Sequence, residues 1–480
     1  MTLKEKAING VLWNSISNFA SLGIEFIVGI ILARLLTPKE FGLIGTITVV
    51  IVLSEVFVNS GFSQAIIRKQ DCTQKDYSTA FFFNLAIGIL FFLILLITAE
   101  PISRFFDNTE LKSLIQVLGV GLIISSLTLI QRAKLVKRID FKLQTKISLI
   151  SSTVSGITAI TLALSGFGVW SLVVKALTNK SLISILLWYW NKWKPDWIFS
   201  KESFKELFGF GSKLLLSGLI GTFLQNINYL IIAKYFTPQD LGYFTRAEMF
   251  KNLPSQNVST IVTSVGYPVL AKVQDDRVQM KNIFRKMLVN TFFIVVILMA
   301  GMAAVAKALI LTLVGEQWLP SVELLQMLCV VGVMLPLNSM NINILNVVGR
   351  SDLYLKLQLI VNSLAIPNIF IGVFFGIKAL IIGMIVISFC AYMIFNHESN
   401  KVLNYPIKEQ LNDVFPSFLL AVTMGIIVYL IELTSNLNPI YTLMIQLIAG
   451  FVIVVISGEF FKIKEYVFLK NTLVAKLRKR

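Results

Sequence analysis

Ala33-Arg-Leu-Leu-Thr-Pro-Lys-Glu-Phe-Gly42 returns, 200 residues on, as Ala233-Lys-Tyr-Phe-Thr-Pro-Gln-Asp-Leu-Gly242. Ala, Thr, Pro and Gly are identical in the two strings, and Arg/Lys and Glu/Asp are conservative exchanges. In each, Thr-Pro closes one helix and opens the next, because Pro suits the first helical turn and Thr can cap it. Glu40 then falls in that first turn, where a carboxylate suits the helix dipole. Gly42 leaves room for close packing. The pattern predicts a tight helical hairpin, used twice. Weaker echoes keep the same order. Ser60-Gly-Phe-Ser-Gln-Ala65 pairs with Val265-Gly-Tyr-Pro-Val-Leu270, Arg138-Ile-Asp140 with Arg350-Ser-Asp352, and Phe167-Gly168 with Phe375-Gly376.

Outward from these turns the chain is a series of apolar stretches. A bilayer-spanning helix takes about 20 residues, and fourteen stretches qualify, from 8–36 and 40–63 to 414–433 and 440–460. The first, from Ile8 to Leu36, is too long for a signal h-region and reads as a span. Six spans lie between the two Thr-Pro turns, so the halves share one orientation. The expected fold is therefore an all-α integral membrane protein. It comprises two parallel six-helix bundles, residues 1–200 and 201–400, an extra helix pair at 401–460, and a basic cytoplasmic tail at 461–480. Two such bundles form a transporter architecture, with the substrate site between repeats.

Composition agrees. Hydrophobic residues make up 56% and charged residues 14%, against about 25% charged in a soluble domain, and mean hydropathy is +0.77. That excludes a soluble enzyme, a disordered chain and a disulfide scaffold. Cys72, Cys329 and Cys390 are scattered, and the single histidine, His397, falls in an expected loop. No metal site follows from them. There is no nucleotide-binding glycine loop and no clustered acids on a large outer loop, so the chain is not expected to be an enzyme.

The net charge of +17 points to topology rather than to nucleic acid. With both termini cytoplasmic, inner segments hold 31 of the 43 Lys and Arg, and outer loops hold 7. This asymmetry fits the positive-inside rule. The basic segment Gln131–Lys146 is expected to be a cytoplasmic loop touching anionic lipid headgroups. The amphipathic tail is expected to lie on the inner surface. Trp188, Tyr189, Trp190, Trp193 and Trp197 suggest an interfacial aromatic belt, or alternatively a sugar platform.

Gly10-Val-Leu-Trp13, Ile31–Gly42, Asn59-Ser-Gly-Phe62, Asp76-Tyr-Ser78 and Ile139-Asp-Phe-Lys142 resemble the Wzx-type, lipopolysaccharide and colanic-acid exporter branch of polysaccharide biosynthesis proteins. That branch belongs to the multidrug/oligosaccharidyl-lipid/polysaccharide (MOP) flippase superfamily. The resemblance implies a bacterial inner-membrane flippase working by alternating access. Its cargo would be an undecaprenyl-diphosphate-linked oligosaccharide, an O-antigen or exopolysaccharide repeat unit. The alternative is a multidrug or small-molecule exporter of the same superfamily. Implied partners are the lipid-linked oligosaccharide and membrane lipids, with a polymerase or ligase left open.

An ionisable group near the bilayer centre needs a partner or a wet cavity. Arg246 and Lys251 are the first candidates for anion contact, followed by Lys175 and Lys180. The alternative for the first two is a structural pair, with Glu248 and Lys251 three apart on one helical face. Glu25, Glu55 and Glu248 are candidate sites for coupling to H⁺ or Na⁺, the alternative being carboxylates paired to nearby lysines. No other cofactor is implied. Asn14, Ser15, Asn18, Gln225, Asn226 and Asn228 form polar stripes that could meet sugar hydroxyls or join helices. The sidedness is testable with single cysteines. A membrane-impermeant maleimide is expected to label S435C in intact cells, but Cys72 only after lysis, and the reverse order would invert the topology.

Overall fold

The computed structural model describes residues 3–435 and 437–478, with side chains for all of these except 3–12, 14–19, 351, 473 and 476–478. The described residues are helical almost throughout and contain no strand. The chain divides into two compact units at Gly242.

The first unit holds α1 (Leu3–Leu35), α2 (Pro38–Asn59), α3 (Phe62–Arg68), α4 (Gln74–Phe105), α5 (Glu110–Ser126), α6 (Leu129–Lys137), α7 (Phe141–Leu164), α8 (Val169–Asn191) and α9 (Lys201–Tyr235). Its core joins Leu43, Ile47 and Ile51 of α2 to Leu95 of α4, Leu114 and Leu118 of α5, and Val173 of α8. α10 (Pro238–Ala271) begins in this unit and continues into the second. The second unit adds α11 (Arg277–Ala304), α12 (Ala306–Leu313), α13 (Pro320–Val347), α14 (Ser351–Ser363), α15 (Ala365–Phe375), α16 (Ile377–Leu403), α17 (Ile407–Thr434), α18 (Pro439–Phe460) and α19 (Lys464–Arg478). The neighbour pairs α4–α5, α5–α8 and α7–α8 recur as α11–α13, α13–α16 and α15–α16, as a repeated topology requires.

Twelve helical rods among the described residues are long and apolar enough to cross a membrane. Some join two shorter helices, such as α2 with α3 and α5 with α6. The other two apolar stretches of the sequence fall on α1 and α10, which are not among these twelve. α10 falls short on polarity, since Arg246, Glu248 and Lys251 are followed closely by Asn252, Ser255, Gln256 and Asn257. Such a helix needs protein or water around it rather than lipid. Elsewhere Ile97, Phe374 and Phe375 stand more than three-quarters exposed, which suits a lipid-facing surface.

Both Thr-Pro turns are full capping boxes. Thr37 N–H donates to Glu40 Oε2 at 2.6 Å and Glu40 N–H returns to the Thr37 hydroxyl. Thr237 N–H donates to Asp240 Oδ2 at 3.1 Å, and Asp240 N–H returns at 3.2 Å. The two helix starts then touch through their glycines. A Cβ on Gly42 would sit 1.7 Å from the Pro238 carbonyl oxygen, and one on Gly242 would sit 2.0 Å from that of Pro38. The contact is reciprocal, as expected of two copies of one motif.

Three sequence expectations change. The segment 131–146 is not a loop: α6 runs to Lys137, and only a short turn separates it from α7, with Asp140 accepting a bond from Leu143 N–H. His397 lies, exposed, near the end of α16 rather than in a loop. The aromatic group is split. Trp193 is buried against Phe81, with Trp188 beside it, while Tyr189 and Trp197 point outward. Beyond this cluster, residues 192–200 are strapped over α4. Asp196 N–H donates to Ser78 Oγ at 2.9 Å, and Ser200 N–H to Thr79 Oγ1 at 3.0 Å.

α9 is tied into the first unit at both ends. Lys69 bridges Glu206 at 2.8 Å and Asp76 at 3.1 Å, and Lys234 pairs with Asp107 at 3.0 Å. The hydrogen bond to Glu206 holds the Lys69 ammonium above its ordinary pKa. Its contribution to stability is therefore present below about pH 10.5 and lost only as pH rises through the raised value. In the second unit, α17 is clamped to α11 by Lys281–Glu409 at 2.9 Å and Arg285–Asp413 at 2.5 Å. The extra helix pair is thus built into that unit. The tail helix α19 packs through Tyr466 and Leu469, with Ile463 just before it.

The glycine contact yields a contrast. G42A meets backbone that cannot yield, and overpacking of this kind costs about 1–3 kcal/mol. Gly23 of α1 has nothing within 4 Å of a Cβ, so G23A should be neutral or add up to about 1 kcal/mol of helix propensity. Thermal unfolding in detergent should show the first variant well below the wild type and the second at or above it.

Candidate functional site

The site is built on α8. Lys175 and Lys180 lie five residues apart along this helix and reach different neighbours. Lys175 Nζ donates to Glu25 Oε2 of α1 at 2.5 Å. Lys180 Nζ donates to Glu55 Oε1 of α2, which Ser125 Oγ of α5 also approaches at 3.5 Å. The two proposed cations and two proposed coupling acids are therefore brought together as two ion pairs. Neither pair is sealed: Lys180 and Glu55 side chains keep 27% and 30% of their exposure.

That exposure opens into a cavity of about 280 Å³, lined by Glu55, Asn59, Ser125, Arg132, Asn179 and Lys180 among others. Helix breaks border it. α2 stops at Asn59, and Ser60 and Gly61 take left-handed φ angles of 48° and 69° before α3 begins. α5 hands over to α6 at Leu127–Thr128, between Ser125 and Arg132. Interrupted helices of this kind line binding sites in transporters, because irregular backbone is tolerated in a membrane only beside protein or water. Gly61 is needed twice, for its φ and because a Cβ there would lie 2.3 Å from the Gly211 carbonyl oxygen of α9.

Arg132, Asn59, Ser125 and Asn179 were not singled out from sequence as site residues. Arg132 was read as part of a basic loop. The spacing held a signal, since Ser125, Thr128 and Arg132 follow each other at three and four residues and so share a helical face.

The α10 candidates lie in the second unit. Arg246 is 3% exposed, with its guanidinium 4.9 Å from the centre of the Trp318 ring, and donates to Met249 Sδ at 3.2 Å. Lys251 is also 3% exposed and pairs with Glu248 at 3.4 Å. Its stem packs on α13, where a Cβ at Gly332 would meet it at 3.1 Å. Asn226 of α9 donates to the Thr222 carbonyl of its own helix at 2.8 Å, and Asn228 is half-buried. The side chains of Asn14, Ser15 and Asn18 lie outside the described residues.

Residues 31–323, which include this cavity and α10, match the family model described as polysaccharide biosynthesis protein. The chain belongs to that family. Teichuronic acid biosynthesis protein TuaB of Bacillus subtilis (strain 168) is 28% identical over 91% of each chain. Lipopolysaccharide biosynthesis protein WzxC of Escherichia coli (strain K12) is 26% identical over 78% of this chain and 76% of its own. Among solved structures, the lipid II flippase MurJ in an inward closed conformation has a TM-score of 0.77 at 16% identity. The match covers 94% of this chain and 99% of MurJ. The family member described here thus has the fold of a flippase and is a multi-pass membrane protein.

The ion pairs predict a double-mutant signature. K175M should lower the unfolding midpoint by leaving the Glu25 carboxylate unpaired. E25Q/K175M should recover part of the loss, with a coupling of about 0.5–3 kcal/mol. Additive losses in thermal unfolding would mean that the pair contributes nothing in the membrane.

Proposed function

We propose that this protein moves an undecaprenyl-diphosphate-linked oligosaccharide, an O-antigen or exopolysaccharide repeat unit, from the cytoplasmic to the periplasmic leaflet of the inner membrane by alternating access. The observation that carries the reading is a polar cavity with a cationic surplus inside a polysaccharide-biosynthesis family member. The cargo is a charged diphosphate and a sugar chain on a long lipid. Its tail can stay in the bilayer, but its head cannot cross hydrocarbon unaided. A single charge near the centre costs about 2.5–3.5 kcal/mol even on insertion scales. A protein path for such a head needs cations for the diphosphate and hydrogen-bonding groups for the sugars. Within the first unit Lys175 and Lys180 would meet the diphosphate and Asn226 and Asn228 the sugars, and within the second unit Arg246 and Lys251 are the cationic candidates.

Both termini face the cytoplasm in this reading, as the 31-to-7 partition of basic residues favours. Glu25, Glu55 and Glu248 each sit beside a lysine, so protonation or Na⁺ binding at any of them would release a cation to the cargo. That is the form ion coupling would take here. A polymerase or ligase would consume the flipped product.

The test is reconstitution. Proteoliposomes loaded with labelled undecaprenyl-diphosphate oligosaccharide should expose the glycan to an external cleaving enzyme only when the protein is present. A H⁺ or Na⁺ gradient should accelerate exposure, and E25Q and E55Q should remove that acceleration. Folded protein with no exposure of its native glycan would overturn the reading. Unchanged gradient dependence in both variants would overturn the coupling role.

A further inference from the structure

The Glu55–Lys180 pair is in the wrong place to be a purely structural tie. Both partners form part of the wall of a 280 Å³ cavity. A water takes about 30 Å³ of liquid, so the space exceeds what hydrating the pair requires. Its other polar walls are Asn59, Ser125, Asn179 and Thr128, whose hydroxyl already donates to the Ser125 carbonyl at 2.7 Å. The charges there do not balance. Arg132 and Lys180 face one carboxylate, and among the described residues Arg132 makes no ion pair within 4 Å. A confined polar space with surplus positive charge favours an anion.

The two partners are also held differently. Lys180 is seated by α5: a Cβ at Gly121 would lie 3.1 Å from its Nζ and 3.2 Å from its Cδ. Glu55 lies less than two turns before the Ser60–Gly61 break, where α2 ends. Among the described residues its only other side-chain hydrogen bond is the marginal one from Ser125 at 3.5 Å. Lys180 is therefore packed against α5 while Glu55 lies near a helix break, and a pair that keeps 27% and 30% of its exposure is weaker than a sealed one.

We propose that this cavity is an oxyanion site whose own Glu55 carboxylate acts as the placeholder. Glu55 occupies Lys180 while the site is empty. A phosphate oxygen of the lipid carrier, or the carboxylate of an acidic sugar, displaces it and is held by Lys180 and Arg132. The identity of the anion rests on the flippase reading; the site itself does not.

The test is direct binding to full-length protein in phosphatidylcholine nanodiscs without cargo. Inorganic diphosphate and glucuronate are titrated separately by calorimetry at constant ionic strength. Wild type should bind at least one of them at one site. E55Q removes the competitor and should bind about 10-fold tighter, whereas K180Q and R132Q should each lose 10-fold or more and K180R should retain binding. Thermal unfolding checks that each variant is folded. If E55Q is not, E55D, with its shorter reach, should also bind tighter than wild type.

Stronger binding of diphosphate assigns the site to the carrier, and stronger binding of glucuronate assigns it to an acidic sugar. Equal or weaker binding by folded E55Q, unchanged binding by K180Q, or no binding of either anion would overturn the proposal. Binding with the expected signs, but no flipping by wild type, would overturn the function and leave the site. Flipping without oxyanion binding would do the opposite.

Discussion

Hydrocarbon offers no partner to a charge or to a backbone amide, and every feature of this protein answers to that constraint. Helices satisfy their own backbones, so the chain is helical almost throughout. Ionisable groups within the helices must find each other or find water. Glu25 and Glu55 of two different helices both find lysines of α8, which makes α8 the electrostatic hub of the first unit. In the second unit the same requirement fastens Lys251 to Glu248 and lays Arg246 over Trp318. Where a pair is left partly open, as at Lys180, a cavity adjoins it.

The Thr-Pro turns meet the constraint at helix ends. A membrane helix that stops must satisfy its first amides locally, and each turn does so with a reciprocal hydroxyl–carboxylate box. Capping this compact lets the following helices start close together, and Gly42 and Gly242 then permit backbone contact. The second glycine approach, Gly61 on Gly211, adds a break in α2 next to the charged cavity. Close packing and local irregularity thus arise from the same few glycines. Function in a transporter needs both, since rigid bundles must carry a site that can rearrange.

The cationic cavity links this packing to the proposed chemistry. Cations in or beside hydrocarbon are costly unless they are paired or hydrated. The paired glutamates lower that cost without cancelling it, because Arg132 leaves a surplus. In the proposed site, half-neutralisation by its own carboxylate would let the ligand leave as well as bind. Alternating access requires that balance, since a cargo held too tightly on one side never leaves on the other.

The fold was largely legible in the residues. Apolar length, the basic asymmetry of the loops and the repeated Thr-Pro string are local properties, and local properties survive folding. They named helices, their repeat and the capping chemistry of Thr37 and Glu40. The family signature in residues 31–42 was legible for the same reason. What the residues could not say was who meets whom. Lys175 and Glu25 are 150 positions apart, and Lys180 and Glu55 are 125 apart. Nothing in spacing couples them, because their partnership depends on how α1, α2 and α8 pack. The cavity wall was hidden likewise: Arg132 looked like a loop residue until α6 proved to be a helix continuing α5. The close approach of Gly42 and Gly242 shows the division clearly. The sequence alone determined that both turns would be tight and glycine-ended, whereas only the tertiary structure decided that they face each other. Capping energy is spent within four residues, while contact between helices is decided by the shape of the whole unit.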